Sequence, residues 1–154
     1  MLARIVIGIV VGIVALSLAA VAWEAAMERR MDSGPLVERL DQTPIPDEFI
    51  LVDEWARDGT WFIKSRSPEA RRSYLAPGTV DLVCGSIDMF YAERGIEIRH
   101  TARTDNPADW CGRTVHIELG HISLWVEPIR SWTQIPPELE GIRDLVEVTY
   151  FASR

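Results

Sequence analysis

Residues 115–126, VHIELGHISLWV, decide the fold. The apolar residues fall at Val115, Ile117 and Leu119 and then at Ile122, Leu124 and Val126, so the parity of the alternation changes midway. Side chains on a strand alternate with a period of two, and a straight strand would therefore send the second set to the wrong face. A tight turn centred on Gly120-His121, with glycine at the first central position of a type II′ turn, predicts the pairs Leu119–Ile122, Ile117–Leu124 and Val115–Val126. All six residues then line one face. A bulge at Gly120 within one long strand is the alternative.

Working outward, Leu145–Ala152 predicts a final strand and Ile96–Thr101 an earlier one, in which Ile96, Ile98 and His100 alternate against Glu97, Arg99 and Thr101. Between them, Thr104–Gly112 and Pro128–Pro137 are loops, and Pro137–Asp144 is at most a helical turn. Residues 79–94 predict a helix with Thr79 as N-cap, Asp81 in the first turn and Gly95 as the stop. Its apolar stripe runs Val80, Val83, Cys84, Ile87, Phe90, Tyr91, the three-and-four spacing of a buried face. Further back, Phe49–Trp55 and Thr60–Ser65 flank the turn Ala56–Gly59 and predict a hairpin, with Arg72–Leu75 a further short strand. The expected fold is α+β, with five to seven mainly antiparallel strands covered on one face by the single helix at about 79–94.

Ahead of this domain, Ile5–Trp23 reads IVIGIVVGIVALSLAAVAW, without a charge. Nineteen helical residues span about 28 Å, close to the hydrocarbon core of a bilayer. The expected organisation is an anchor at 1–26, a juxtamembrane segment and linker at 27–47 with a short helical turn at Pro35–Asp41, and one globular domain at 48–154. A cleaved signal peptide is the competing reading, since Ala20-Val21-Ala22 has the small-x-small form of a cleavage site. Within the anchor, Gly8 and Gly12 have the G-x-x-x-G spacing of helix pairs in lipid and are candidates for homodimerisation.

The chain has 154 residues with 16 basic and 23 acidic side chains, a net charge of −7. Such a balance without a basic cluster lacks the footprint that phosphate backbones require, so nucleic acid is not expected as a partner.

The two cysteines, Cys84 in the helix and Cys111 in the loop before the central hairpin, are a candidate disulfide. Closing a loop of about 28 residues would contribute about 3.6 kcal/mol. Two buried thiols are the alternative. The positive-inside rule, counted literally over Arg4 against Arg29, Arg30 and Arg39, favours a cytoplasmic domain. The short tail before the anchor and the cysteine pair favour an extracytoplasmic one, which is the localisation expected here: a cell membrane, crossed once.

Three histidines are the obvious candidates for a catalytic base or a metal ligand. The expected hairpin separates them, with His116 beside Glu118 on the face opposite the core and across from Trp125, His121 at the turn tip, and His100 facing the core. No metal, cofactor or catalytic residue is expected, since neither the spacing of zinc ligands nor a nucleophile elbow or phosphate loop occurs. The domain holds Trp55, Trp61, Trp110, Trp125 and Trp132. Of these, Trp125 with His116 and Glu118 forms a candidate interaction surface.

The layout resembles a group of uncharacterised, membrane-anchored extracytoplasmic proteins of high-GC Gram-positive bacteria. The resemblance rests on the anchor, Pro44-x-Pro46, Arg72-x-Tyr74 leading to Pro77-Gly78, and the helix with Cys84, Gly95 and the later Cys111. It implies a disulfide-containing α+β domain and assigns no activity. The expected role is binding or scaffolding of an envelope protein partner by a membrane-tethered domain. The alternative is a small single-pass subunit recognised through its anchor helix, and an envelope enzyme is the least supported reading.

Overall fold

The computed structural model describes residues 2–60, 66–101, 110–129 and 133–153, with side-chain surroundings from residue 10 onward. Its fold is α+β. The first helix, α1 (Leu2–Met31), is 30 residues long, about 45 Å at the α-helical rise. It is exposed from Val10 to Ala26 and is the one helix among the described residues long and apolar enough to cross a membrane. Nothing within 4 Å would meet a Cβ at Gly12, whereas the surroundings of Gly8 lie outside the described residues.

Only Asp32 and Ser33 separate α1 from α2 (Gly34–Asp41). The junction is tied to the domain rather than loose. The Met31 carbonyl accepts the Gly59 N–H at 2.7 Å, and Ser33 donates its N–H and its hydroxyl to one oxygen of Asp58 at 2.8 and 2.7 Å. A Cβ at Gly59 would lie 2.6 Å from Met31 Sδ and 2.7 Å from the Arg66 carbonyl oxygen, so only glycine fits there.

The segment read as linker is part of the folded unit. Leu36 and Leu40 of α2 are 0% and 3% exposed and join the main core with Phe49. Because α2 packs on the sheet beside the later helix α3 (Val80–Glu93), two helices cover the face that was expected to carry one.

Among the described residues the sheet has six strands, all antiparallel. They are β1 (Ile50–Arg57), β2 (Glu69–Pro77), β3 (Ile98–His100), β4 (Cys111–Ile117), β5 (Gly120–Pro128) and β6 (Leu145–Ser153). Their spatial order is β1-β2-β6-β5-β4-β3. α2 packs on β2, β6 and β5, while α3 packs on β5, β4 and β3. The core lies between, built from Ala70, Tyr74, Ala76, Val115, Ile122, Leu124, Val126, Val148 and Tyr150 with the apolar stripe of α3.

β1 pairs with β2, from Ile50–Leu75 to Arg57–Glu69, and the expected strand at 60–65 falls almost wholly outside the described residues. Residues 61–65, with Trp61, lie outside the described residues, and Thr60 and Arg66 form an isolated bridge at their base. The strand read at Arg72–Leu75 is nine residues long. Arg71 obscured its alternation; it is ion-paired with Asp53 of β1, and Arg72 with Glu54 of β1 and Asp41 of α2.

The central hairpin exists with a different turn. Ile117 pairs with Gly120, His116 with His121 and Val115 with Ile122, so Glu118 and Leu119 occupy the turn. Among the described residues no non-glycine residue has positive φ, and Gly120, at φ 132°, takes the left-handed position just after the turn. Leu119 is consequently 42% exposed instead of facing the core. The parity change survives, because Val115 and Ile122 still share a face and are both 0% exposed.

α3 has the expected boundaries. Thr79 is extended at the N-cap but bonds through its carbonyl, which accepts the Val83 N–H at 3.0 Å, and its side chain makes no cap bond. At the other end Gly95 has φ 67°, and the bonds Ile96 N–H to Tyr91 O and Gly95 N–H to Ala92 O form a Schellman motif.

Candidate functional site

Asp81, Cys84, Gly85 and Asp88 recur on α3 at spacings of three and four, so one face of the helix presents all of them to β3 and β4. On β4, Cys111, Arg113, Val115 and Ile117 share the face turned toward α3, paired with Val126, Leu124, Ile122 and Gly120. The two elements meet twice. Cys84 and Cys111 are disulfide-bonded, with Cα atoms 6.6 Å apart. Arg113 donates from Nε to one oxygen of Asp88 at 2.7 Å and from Nη2 to the other at 2.9 Å.

That two-point pairing holds the planar guanidinium in one orientation. The Arg113 side chain is 12% exposed and that of Asp88 29%, so water screens the pair far less than a surface bridge. A third bond, from Arg113 Nη1 to the Gly112 carbonyl at 3.0 Å, completes its fixation.

A cleft of about 410 Å³ opens above the disulfide, lined by Asp81, Gly85, Asp88, His100, Trp110 and Arg113. His100 has the parity expected for it, on the α3 face opposite Arg113. It is not buried. β3 is an edge strand of three residues at the margin of the helix, and the His100 side chain is 67% exposed with Nε2 3.4 Å from Asp88.

On the opposite face, Trp110 and Trp125 lie with ring centroids 5.0 Å apart and planes inclined by 39°. They close over Gly112, where a Cβ would come within 2.9 Å of Trp110 and 3.1 Å of Trp125. Trp125 remains 37% exposed. Its cover is therefore another tryptophan, and of the other four domain tryptophans Trp61 and Trp132 lie outside the described residues.

The expected grouping of His116, Glu118 and Trp125 is not what the register produces. Trp125 pairs with Gly112, and His116 pairs with His121, their rings 6.3 Å apart. His116 and Glu118 instead line a shallow groove of about 590 Å³ with Gln42, Pro44, Ile96 and Glu97. There the Glu97 carboxyl is held below the usual carboxylate range, first by the hydrogen bond from Arg99 at 2.7 Å.

The tyrosines are a feature the sequence reading did not reach. Tyr91 donates its hydroxyl to the Pro44 carbonyl at 2.7 Å and lies 3.4 Å from the Tyr150 hydroxyl, and Tyr74 packs edge-on against Tyr150. Burial pushes the Tyr91 phenol up to about 12, and Tyr150 well above its ordinary value. These three knit α3, β6, β2 and the Pro44 segment into one unit.

Among the described residues no group of three or more His, Cys, Asp or Glu is placed to hold a metal ion. The cleft presents a fixed cation–carboxylate pair, an exposed imidazole and Asp81. No family model, curated protein or solved structure matches this chain. The sequence signal that could have located the cleft is the run Asp81, Cys84, Asp88 on one helical face, with Arg113 at a core-facing position of β4.

Proposed function

We propose that the chain is a single-pass membrane protein whose disulfide-bonded α+β domain lies outside the cytoplasm and binds another component of the cell envelope. The observation that carries this reading is the α3–β4 cleft. Its polar groups are rigidly placed by a covalent bridge and a bidentate ion pair, while its rim stays open. Fixed polar groups in an open concave site favour binding, because little side-chain freedom is lost when a partner arrives.

The setting supports the same reading. A bridged cysteine pair is stable in oxidising compartments, and α1 supplies the apolar length for a membrane anchor.

A photo-crosslinking residue placed at Asp81, on the cleft, and separately at Met89, exposed on α3 outside it, tests the proposal in intact cells. The expected result is a discrete adduct from position 81 that position 89 does not yield. Equal labelling from both positions, or none from 81, contradicts it.

A further inference from the structure

β1 is an edge strand: it pairs with β2 on one side and with no strand among the described residues on the other. Such an edge presents a row of N–H and C=O groups that another strand can use. Proteins blunt these edges with bulges, and β1 has one between Leu51 and Asp53. The protection stops there. Beyond it, Asp53, Trp55 and Arg57 run in regular register against Ser73, Arg71 and Glu69 on the face away from the helices.

The order acid, aromatic, base is self-complementary when read antiparallel. From these observations we infer that β1 is a homodimer interface, pairing with β1 of a second copy about a two-fold axis at Trp55 and continuing the sheet across both copies.

The register follows from elimination. Directly opposed residues share a face, so a residue can oppose only one of like parity in the partner. Centring on Asp53 or on Glu54 sets a carboxylate against its own copy, and centring on Ala56 sets Glu54 against Asp58. Centring on Trp55 sets Asp53 against the partner's Arg57 at both ends, with the two tryptophans between them. Cross-strand opposite charges and aromatic pairs are the combinations that stabilise adjacent strands.

Trp55 is 37% exposed, with the guanidinium carbons of Arg57 and Arg71 at 5.1 and 5.6 Å from its ring centroid. The existing ion pairs of Asp53 with Arg71 and of Arg57 with Glu69 are about one third to one half exposed, so both have room to accept a second partner.

Five residues of pairing make a small interface. Confinement of both copies to one bilayer raises their effective concentration and compensates for its size. The contact also lies close to the anchor, because Gly59, two residues beyond β1, is hydrogen-bonded to the last residue of α1.

The test uses the full-length chain in phospholipid vesicles at high lipid-to-protein ratio. A cysteine at the axis, Trp55→Cys, should form an oxidant-induced cross-linked dimer, whereas Leu82→Cys on the far side of α3 should not. In the Trp55→Cys background, Asp53→Arg or Arg57→Asp alone should lower the cross-linked fraction about tenfold by opposing like charges at both ends. The double exchange, Asp53→Arg with Arg57→Asp, should restore it. Circular dichroism and thermal melting show that each variant is folded. Equal cross-linking at 55 and 82, or a folded double exchange no better than the singles, overturns the interface. So does a dimer lost on changing Gly8 and Gly12 to leucine but indifferent to the charge reversals.

Discussion

At one end of the sheet, β3, β4 and β5 are held under α3 by the Cys84–Cys111 bridge and the Arg113–Asp88 pair. At the other, β1 is held by its ladder to β2 and by ion pairs about a third to a half exposed. The chain's path explains the difference. From β2, second in the sheet, it crosses by way of α3 to β3 at the far edge, so the α3 end is assembled from segments distant in sequence. A covalent link from helix to strand removes much of the entropy that such a crossover costs. β1 and β2 are neighbours in sequence as well as in space and need no such link.

The largest expected effect comes from breaking the bridge. Cys84→Ser with Cys111→Ser should lower stability by about 3.6 kcal/mol, seen as a fall in Tm of about 10–15 °C in the full-length protein in detergent. An unchanged Tm would mean that the two ends are equally held.

Next in size is a pH effect at the seam between them. Tyr91 titrates at about 12 in the fold and near 10 when unfolded. Its neutral form therefore favours the folded state fully below pH 10, and that contribution, roughly 2–3 kcal/mol, is lost as pH rises toward 12. Urea melts at pH 9 and 12 measure it together with the contributions of Tyr150 and Tyr74, whose phenols are also raised, and Tyr91→Phe should make the difference smaller.

Asp88→Ala should cost about 2 kcal/mol by stranding the largely buried Arg113 guanidinium, read as a shift in the urea midpoint. At the open end, Arg71→Ala removes an ion pair about half exposed on both sides and should change stability by less than about 1 kcal/mol in the same assay. A larger loss from Arg71→Ala than from Asp88→Ala would invert the comparison.

The same contrast governs what could be read from the residues. α3 was legible because its stripe, first-turn acid and terminal glycine agree, and β6 because Leu145–Ser153 alternates without interruption. The hairpin was legible in outline, yet its turn lies two residues earlier than expected, since placing Gly120 after the turn satisfies the glycine as well as placing it inside. β2 was read too short because Arg71 looks like a solvent residue until its carboxylate is supplied by β1, and because Pro77-Gly78 reads as a break. α2 was read only as a short helical turn at Pro35–Asp41 inside a linker, because eight residues with two buried leucines carry little periodic signal and burial of Leu36 and Leu40 depends on a sheet built later in the chain. For the site, the cysteine pairing was within reach, whereas the Arg113–Asp88 contact required the register of β4 against α3.

The measurement that tests the central claim most directly is thiol labelling of intact cells with a membrane-impermeant reagent, with and without prior reduction, on the full-length chain. Labelling of Cys84 and Cys111 only after reduction is the predicted result and places a bridged domain outside the membrane. Labelling that needs cell lysis but no reductant would put free thiols in the cytoplasm and contradict both the staple and the localisation.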